Sequence, residues 1–172
     1  MPHSGALPFL LRRSDDVIGE HGITSTSETV HGLLRLDGER LMIQWRLARQ
    51  TDQVGRQIRT DREVEPVREV ELPLAALAAA SVRLSWWPWR KDGGARLVLT
   101  AADLRAFEQI AGEGGLKLDH PAELVVRVRR GDRMAAIEFA GELELALAER
   151  TLRAADVPGA LPAGSRSDRR QS

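Results

Sequence analysis

Hydrophobic and polar positions alternate with period two along several stretches, then shift near the C-terminal end to a period between three and four. In Ala122–Arg130, Leu124, Val126 and Val128 alternate with Val125, Arg127 and Arg129. That is the pattern of a strand with one face toward a core. Gly131 breaks the strand, and Asp132 is placed to cap a helix at its first turn. Beyond it Ala136, Phe139, Ala140, Leu143 and Leu147 recur at three- and four-residue steps, so they form one apolar stripe of a long helix. The expectation is a last strand followed by a helix that closes a core.

Upstream, the period is two almost throughout. Val30–Leu36 and Arg40–Arg49 read as strands joined at Asp37-Gly38, a strong hairpin signal. In the second, Leu41, Ile43, Trp45 and Leu47 share a face, which makes Trp45 a core anchor rather than a ligand platform. Val67–Leu72 predicts a third strand with Val70, Leu72 and the following Leu74 inward, ended by Pro73. The alanine-rich Leu74–Ala80 favours a helical turn. Ser81–Trp86 returns to extended chain, with Val82, Leu84 and Trp86 on one face. Asp92-Gly93-Gly94 turns it back into Arg96–Thr100, where Leu97 and Leu99 face the core. Thr100-Ala-Ala-Asp103 resembles a capping box before Leu104, Phe107 and Ile110, so a short helix is expected there, stopped by the glycines of 112–115. Leu116–Leu118 predicts a brief strand.

Less pattern is visible elsewhere. Residues 1–27 mix Gly, Pro, Ser and Thr with charges and read as a flexible N-terminal arm, on which Phe9, Leu10 and Leu11 tack onto the domain. Gln50–Glu65 is polar and reads as a long loop or mobile hairpin tip. Residues 153–172, rich in Pro, Gly and Ser, read as a disordered tail. The domain therefore spans 28–152. Its class is α+β, mainly β: an antiparallel barrel or two packed sheets of about six to seven strands, one short helix and a long C-terminal helix as the cap.

Composition narrows function by exclusion. The 25 basic and 25 acidic side chains cancel, so no net field draws the chain to nucleic acid or a membrane. With no cysteine, disulfides, thiolate catalysis and cysteine zinc sites are ruled out, and a reducing cytoplasm is the compatible setting. Ala6–Leu11 is apolar but too short for a membrane span or a secretory signal. His3, His21, His31 and His120 lack metal-ligand spacing, no serine sits in a nucleophile elbow, and the 112–115 glycines lack a phosphate-loop Lys. The expectation is a non-enzymatic chain with no cofactor or metal. Arg130-Gly131-Asp132 matches an adhesion tripeptide but reads as strand end, break and cap.

Two stretches are candidate partner surfaces. Trp86-Trp87-Pro88-Trp89-Arg90-Lys91 places Trp87 opposite the Leu84/Trp86 face, so Trp87, Trp89, Arg90 and Lys91 could form a partner rim, roof an open barrel end, or dock on a membrane. A second strip of the helix, Leu145, Ala148 and Leu152, lies away from the core stripe and suits an oligomer face.

The segments HGLLRLDGERLMIQWRL, VREVELPLAAL, RLVLTAADLRAFEQIAG and ELVVRVRRGDRMAAIEFAGELELALA together resemble the bacterial PH-like (pleckstrin-homology-like) superfold. That resemblance implies an adaptor binding a protein, peptide or lipid headgroup rather than an enzyme, while a homodimer rests on the second helix strip alone. It does not extend to phosphoinositide binding, because the first hairpin turn is the short, mostly acidic Asp37-Gly38-Glu39-Arg40. A small-ligand carrier or hydrolase with a cavity at the barrel mouth is the alternative, and a peripheral membrane domain a third.

Overall fold

The computed structural model describes residues 5–19, 22–54, 58–84, 94–112 and 115–155. Eight antiparallel strands among them form one sheet: β1 (Leu7–Gly19), β2 (Gly22–Asp37), β3 (Arg40–Val54), β4 (Ile58–Val64), β5 (Arg68–Pro73), β6 (Leu77–Leu84), β7 (Ala95–Ala101) and β8 (Glu123–Val128). A short helix α1 (Glu108–Ala111) links β7 to β8, and the long helix α2 (Arg133–Ala155) ends the described chain. The strand order is β4-β3-β2-β1-β8-β7-β6, with β5 beside β4 on the same edge of β3. Two meanders, β1–β5 and β6–β8, are therefore joined where β1 meets β8 at Leu10 and Arg127.

Alternation decides which face is buried. Leu7 and Phe9 of β1, Val30 and Leu34 of β2, and Leu41, Ile43, Trp45 and Leu47 of β3 all turn inward. Leu97 and Leu99 of β7 and Leu124, Val126 and Val128 of β8 meet them. On α2 the buried residues are Ala136, Phe139, Ala140 and Leu143, with Leu147 packed at the margin, as the stripe in the sequence requires. The helix lies against β6, β7, β1 and the 3-10 turn Leu74–Ala76. Its far end is tied to the β2–β3 turn, where Arg153 donates to Glu39 at 2.9 Å. That turn consists of Gly38 and Glu39, between the paired Asp37 and Arg40. Gly38 has φ +58°, the left-handed value that its place at the start of a tight hairpin turn demands.

Several expectations are corrected. Residues 7–19 are not an arm: they pair with β2 from Leu7↔Leu34 to Gly19↔Gly22, and Leu7 and Phe9 belong to the core. Of the two readings of Gln50–Glu65, the hairpin holds and the long loop does not: the end of β3 pairs with β4 from Ala48↔Val64 to Val54↔Ile58. In both places strands continue where neither face is buried, so the polar sequence carries no alternation to read. The turn after β7 does not start a helix at the Thr100–Asp103 box. The Asp103 carboxylate accepts from the Arg105 N–H at 3.1 Å, and the helix begins only at Glu108, leaving Leu104 exposed. Leu116–Leu118 is irregular chain that buries Leu116. Leu84 is 48% exposed rather than inward. The Arg130–Asp132 tripeptide is a 3-10 turn running straight into α2, which extends to Ala155, past the expected domain end. Of the expected tail, 156–172 lies outside the described residues.

Candidate functional site

The Trp87, Trp89, Arg90 and Lys91 rim falls within 85–93 and lies outside the described residues. His3 and His21 do as well. His31 is exposed on β2, and the Nδ1 of His120 accepts from the Ala122 N–H at 3.2 Å, a local contact that shapes the turn into β8. No helix among the described residues is long and apolar enough to cross a membrane.

The helix strip is within view, and all three residues are exposed, with Leu145 at 61% and Leu152 at 67%. Sequence reasoning missed how far it runs. Met134 and Ile137, also exposed, sit on the same side at the start of the helix, and Gly141 falls between them and Leu145. At 100° per residue, positions 134, 137, 141, 145, 148 and 152 share one face directly opposite the Ala136/Phe139/Ala140/Leu143 stripe. The steps of three, four, four, three and four keep that face in line along the helix. Gly141 leaves a gap in the middle where a partner backbone could approach closely. The signal was present in the sequence, where Met134 and Ile137 continue the same three- and four-residue spacing toward the start of the helix.

A second apolar feature lies at the far end of β1–β4. Ile18 faces Ile23, Ile23 faces Val54 and Val54 faces Ile58, so directly opposed pairs make one row across four strands. Ile18 is 82% and Ile58 77% exposed. Beside the row stand Asp15 and Asp16 on β1, Asp52 on β3 and Arg59 and Asp61 on β4.

A groove of about 660 Å³ runs beside Trp45 between Arg68, Glu69, Val70 and the α1 residues Glu108 and Gln109. Two of its polar groups, Arg68 and Glu69, are engaged locally. Arg68 pairs with Glu65 at 2.8 Å, and Gln44 donates to the Glu69 carboxylate. Trp45 itself is buried and serves the core, as its place in the alternation implies. The groove thus has the size of a ligand site, with two carboxylates on its rim. Compared with family models, with curated proteins and with solved structures, the chain matches none of them.

Proposed function

We propose that this protein is a non-enzymatic binding and scaffolding module of PH-like type, acting in the cytoplasm, whose partner is a protein or peptide helix received on the outer face of α2. The observation that carries this reading is the exposed apolar strip from Met134 and Ile137, across Gly141, to Leu145, Ala148 and Leu152. A helix needs one apolar face to seal a sheet, and α2 already spends Phe139 and Leu143 on that task. A second face of the same length has no role in the fold described here, and apolar helix-in-groove or helix-on-helix contact is its natural use. The joined meanders closed by a C-terminal helix support the PH-like part of the reading.

The test is affinity capture with wild type and the L145E/L152E variant, followed by reconstitution from purified components. Both substitutions are on exposed positions, so the melting temperature should change little. A partner bound by wild type and weakened at least tenfold by L145E/L152E is the expected result; a second copy of the chain, seen as a dimer in sedimentation, would count as that partner. Equal binding by the two proteins would overturn the assignment to this face. A small-ligand site is the second reading, favoured by the ligand-sized groove beside Trp45.

A further inference from the structure

The register of the sheet places like charges face to face. Arg83 on β6 is directly opposite Arg96 on β7, and Arg96 is directly opposite Arg127 on β8. Neighbouring strands lie about 4.8 Å apart, so three guanidinium groups stand in a line across the outer face of the sheet. All three side chains are exposed, as is Arg12 on the adjoining β1. Like charges directly opposite one another weaken a sheet. The outer faces of β6–β8 could have carried threonine or an acid at one of these places at no cost to the core.

Next to this row the sheet opens. β1 and β8 are paired at Leu10↔Arg127, and further along they frame a cleft of about 260 Å³. Arg12, Arg96 and Arg127 reach it from the outer face, and Arg13 and Lys117 complete its cationic lining. Two acids share the cleft, Asp119 and Glu123. Asp119 is already engaged, because Arg13 donates to it at 3.1 Å and also to the carbonyl of Lys117. Several other arginines of the sheet do find acids, Arg40 with Glu71, Arg49 with Glu28 and Arg68 with Glu65. Arg12, Arg83, Arg96 and Arg127 make no ion pair among the described residues, although they cluster.

We infer that the cleft between β1 and β8 binds a phosphate-bearing small group, held by the guanidinium groups of Arg12, Arg96 and Arg127. Planar guanidinium forks match phosphate oxygens in pairs, and a dianion removes the mutual repulsion of the row. The small size of the cleft favours one compact phosphorylated group over an extended polymer. The site is distinct from the acidic Gly38 turn, which joins β2 to β3. It deepens the binding-module reading by adding a ligand to it, and it rests on that reading in having the phosphate bound rather than turned over.

The experiment titrates pyrophosphate into the full chain by calorimetry, with R96Q/R127Q and R12Q as cleft variants and R59Q on β4 as the control. Saturable one-to-one binding is expected, weakened at least tenfold in R96Q/R127Q, several-fold in R12Q, and unchanged in R59Q. The ligand-free R96Q/R127Q protein should melt no lower than wild type, since the change relieves repulsion. Binding that does not saturate, or that all variants share, would overturn the site. So would tighter binding to single-stranded DNA than to pyrophosphate with a steep salt dependence, which would make the face a polymer surface instead. Vesicles containing phosphatidic acid, against phosphatidylcholine alone, identify the source. Capture that pyrophosphate competes away places the phosphate on a lipid, and no capture places it on a soluble compound. Failure of the site with the α2 partner still bound would leave the module reading intact, whereas cleavage of the pyrophosphate would overturn the module reading and not the site.

Discussion

The two halves of the long strands β1, β2 and β3 are built of the same hydrogen-bonded ladder and stabilised in different ways. In the half nearest the Gly38 turn, Leu34, Leu41 and Ile43 are fully buried and Trp45 nearly so. Beyond Leu47 the strands run on as a sheet joined by β4. Not one residue of 14–19, 22–29, 49–54 or 58–64 is buried. Pairing nevertheless continues without a shift of register from Leu7↔Leu34 to Gly19↔Gly22 and from Asp37↔Arg40 to Ile23↔Val54. What the projecting half has in place of a core is cross-strand polar contact. Ser25 donates to Asp16, Arg49 to Glu28 at 2.9 Å, and Thr60 to Asp52 at 2.8 Å. Each such pair contributes roughly 0.2–1 kcal/mol, against about 1.5–3 kcal/mol for a large side chain moved fully from water to the core. The lesson is that a strand pair can outrun its core: once packing has fixed the register at one end, each further rung costs little to add.

That contrast is sharpest under truncation. Trp45→Ala should lower unfolding free energy by about 3–5 kcal/mol, because it empties a large volume beneath the sheet, and a denaturant melt measures it. A loss under 1 kcal/mol would mean that the packed half is no better anchored than the projecting one. Gly32→Ala is a smaller and more pointed test. A Cβ there would sit 2.0 Å from the ring of Phe9, directly opposite on β1. Either the ring moves or the strands separate, for a cost of about 1–3 kcal/mol. Pairing Gly32→Ala with Phe9→Leu should recover part of that loss, since the clash is with the ring and not the backbone. No recovery would place the strain in the ladder itself.

The packed half was legible in the sequence because burial on one face writes a period into it. Leu41, Ile43, Trp45 and Leu47 announce their strand, and Ala136 to Leu147 announce the helix, without knowledge of any neighbour. The projecting half writes no such period. Arg12, Arg13, Ser14, Asp15 and Asp16 form the middle of β1 only because β2 lies alongside, and their own preferences point to a loop. The arginine row was hidden for another reason. Arg83, Arg96 and Arg127 are separated by 13 and 31 positions in the chain, and only the register of three strands makes them neighbours. No local pattern encodes that register, because it is set by which inner-face residues pack together. The helix strip lay between these cases: Leu145, Ala148 and Leu152 were readable from spacing, and Met134 and Ile137 extend that same spacing toward the start of the helix.

The smallest expected effect bears on whether polar pairs hold the projecting half at all. Arg49 reaches Glu28 on one side with two donors, at 2.9 and 3.1 Å, and lies 3.9 Å from Glu63 on the other. Glu28, at 20% exposed, is the more sheltered of the pair. A double-mutant cycle of Arg49→Ala with Glu28→Ala should give a coupling of about 0.2–1 kcal/mol, falling as salt rises. If rungs there are maintained by such pairs, amide exchange should speed up in Ser25–Thr29 and Gln50–Val54 when Arg49 is lost, and stay unchanged around Ile43 and Trp45. A uniform change across both halves would show instead that the strands open as one cooperative unit. The projecting half would then borrow its stability from the core through the ladder, and Arg49 would be solvated decoration on it.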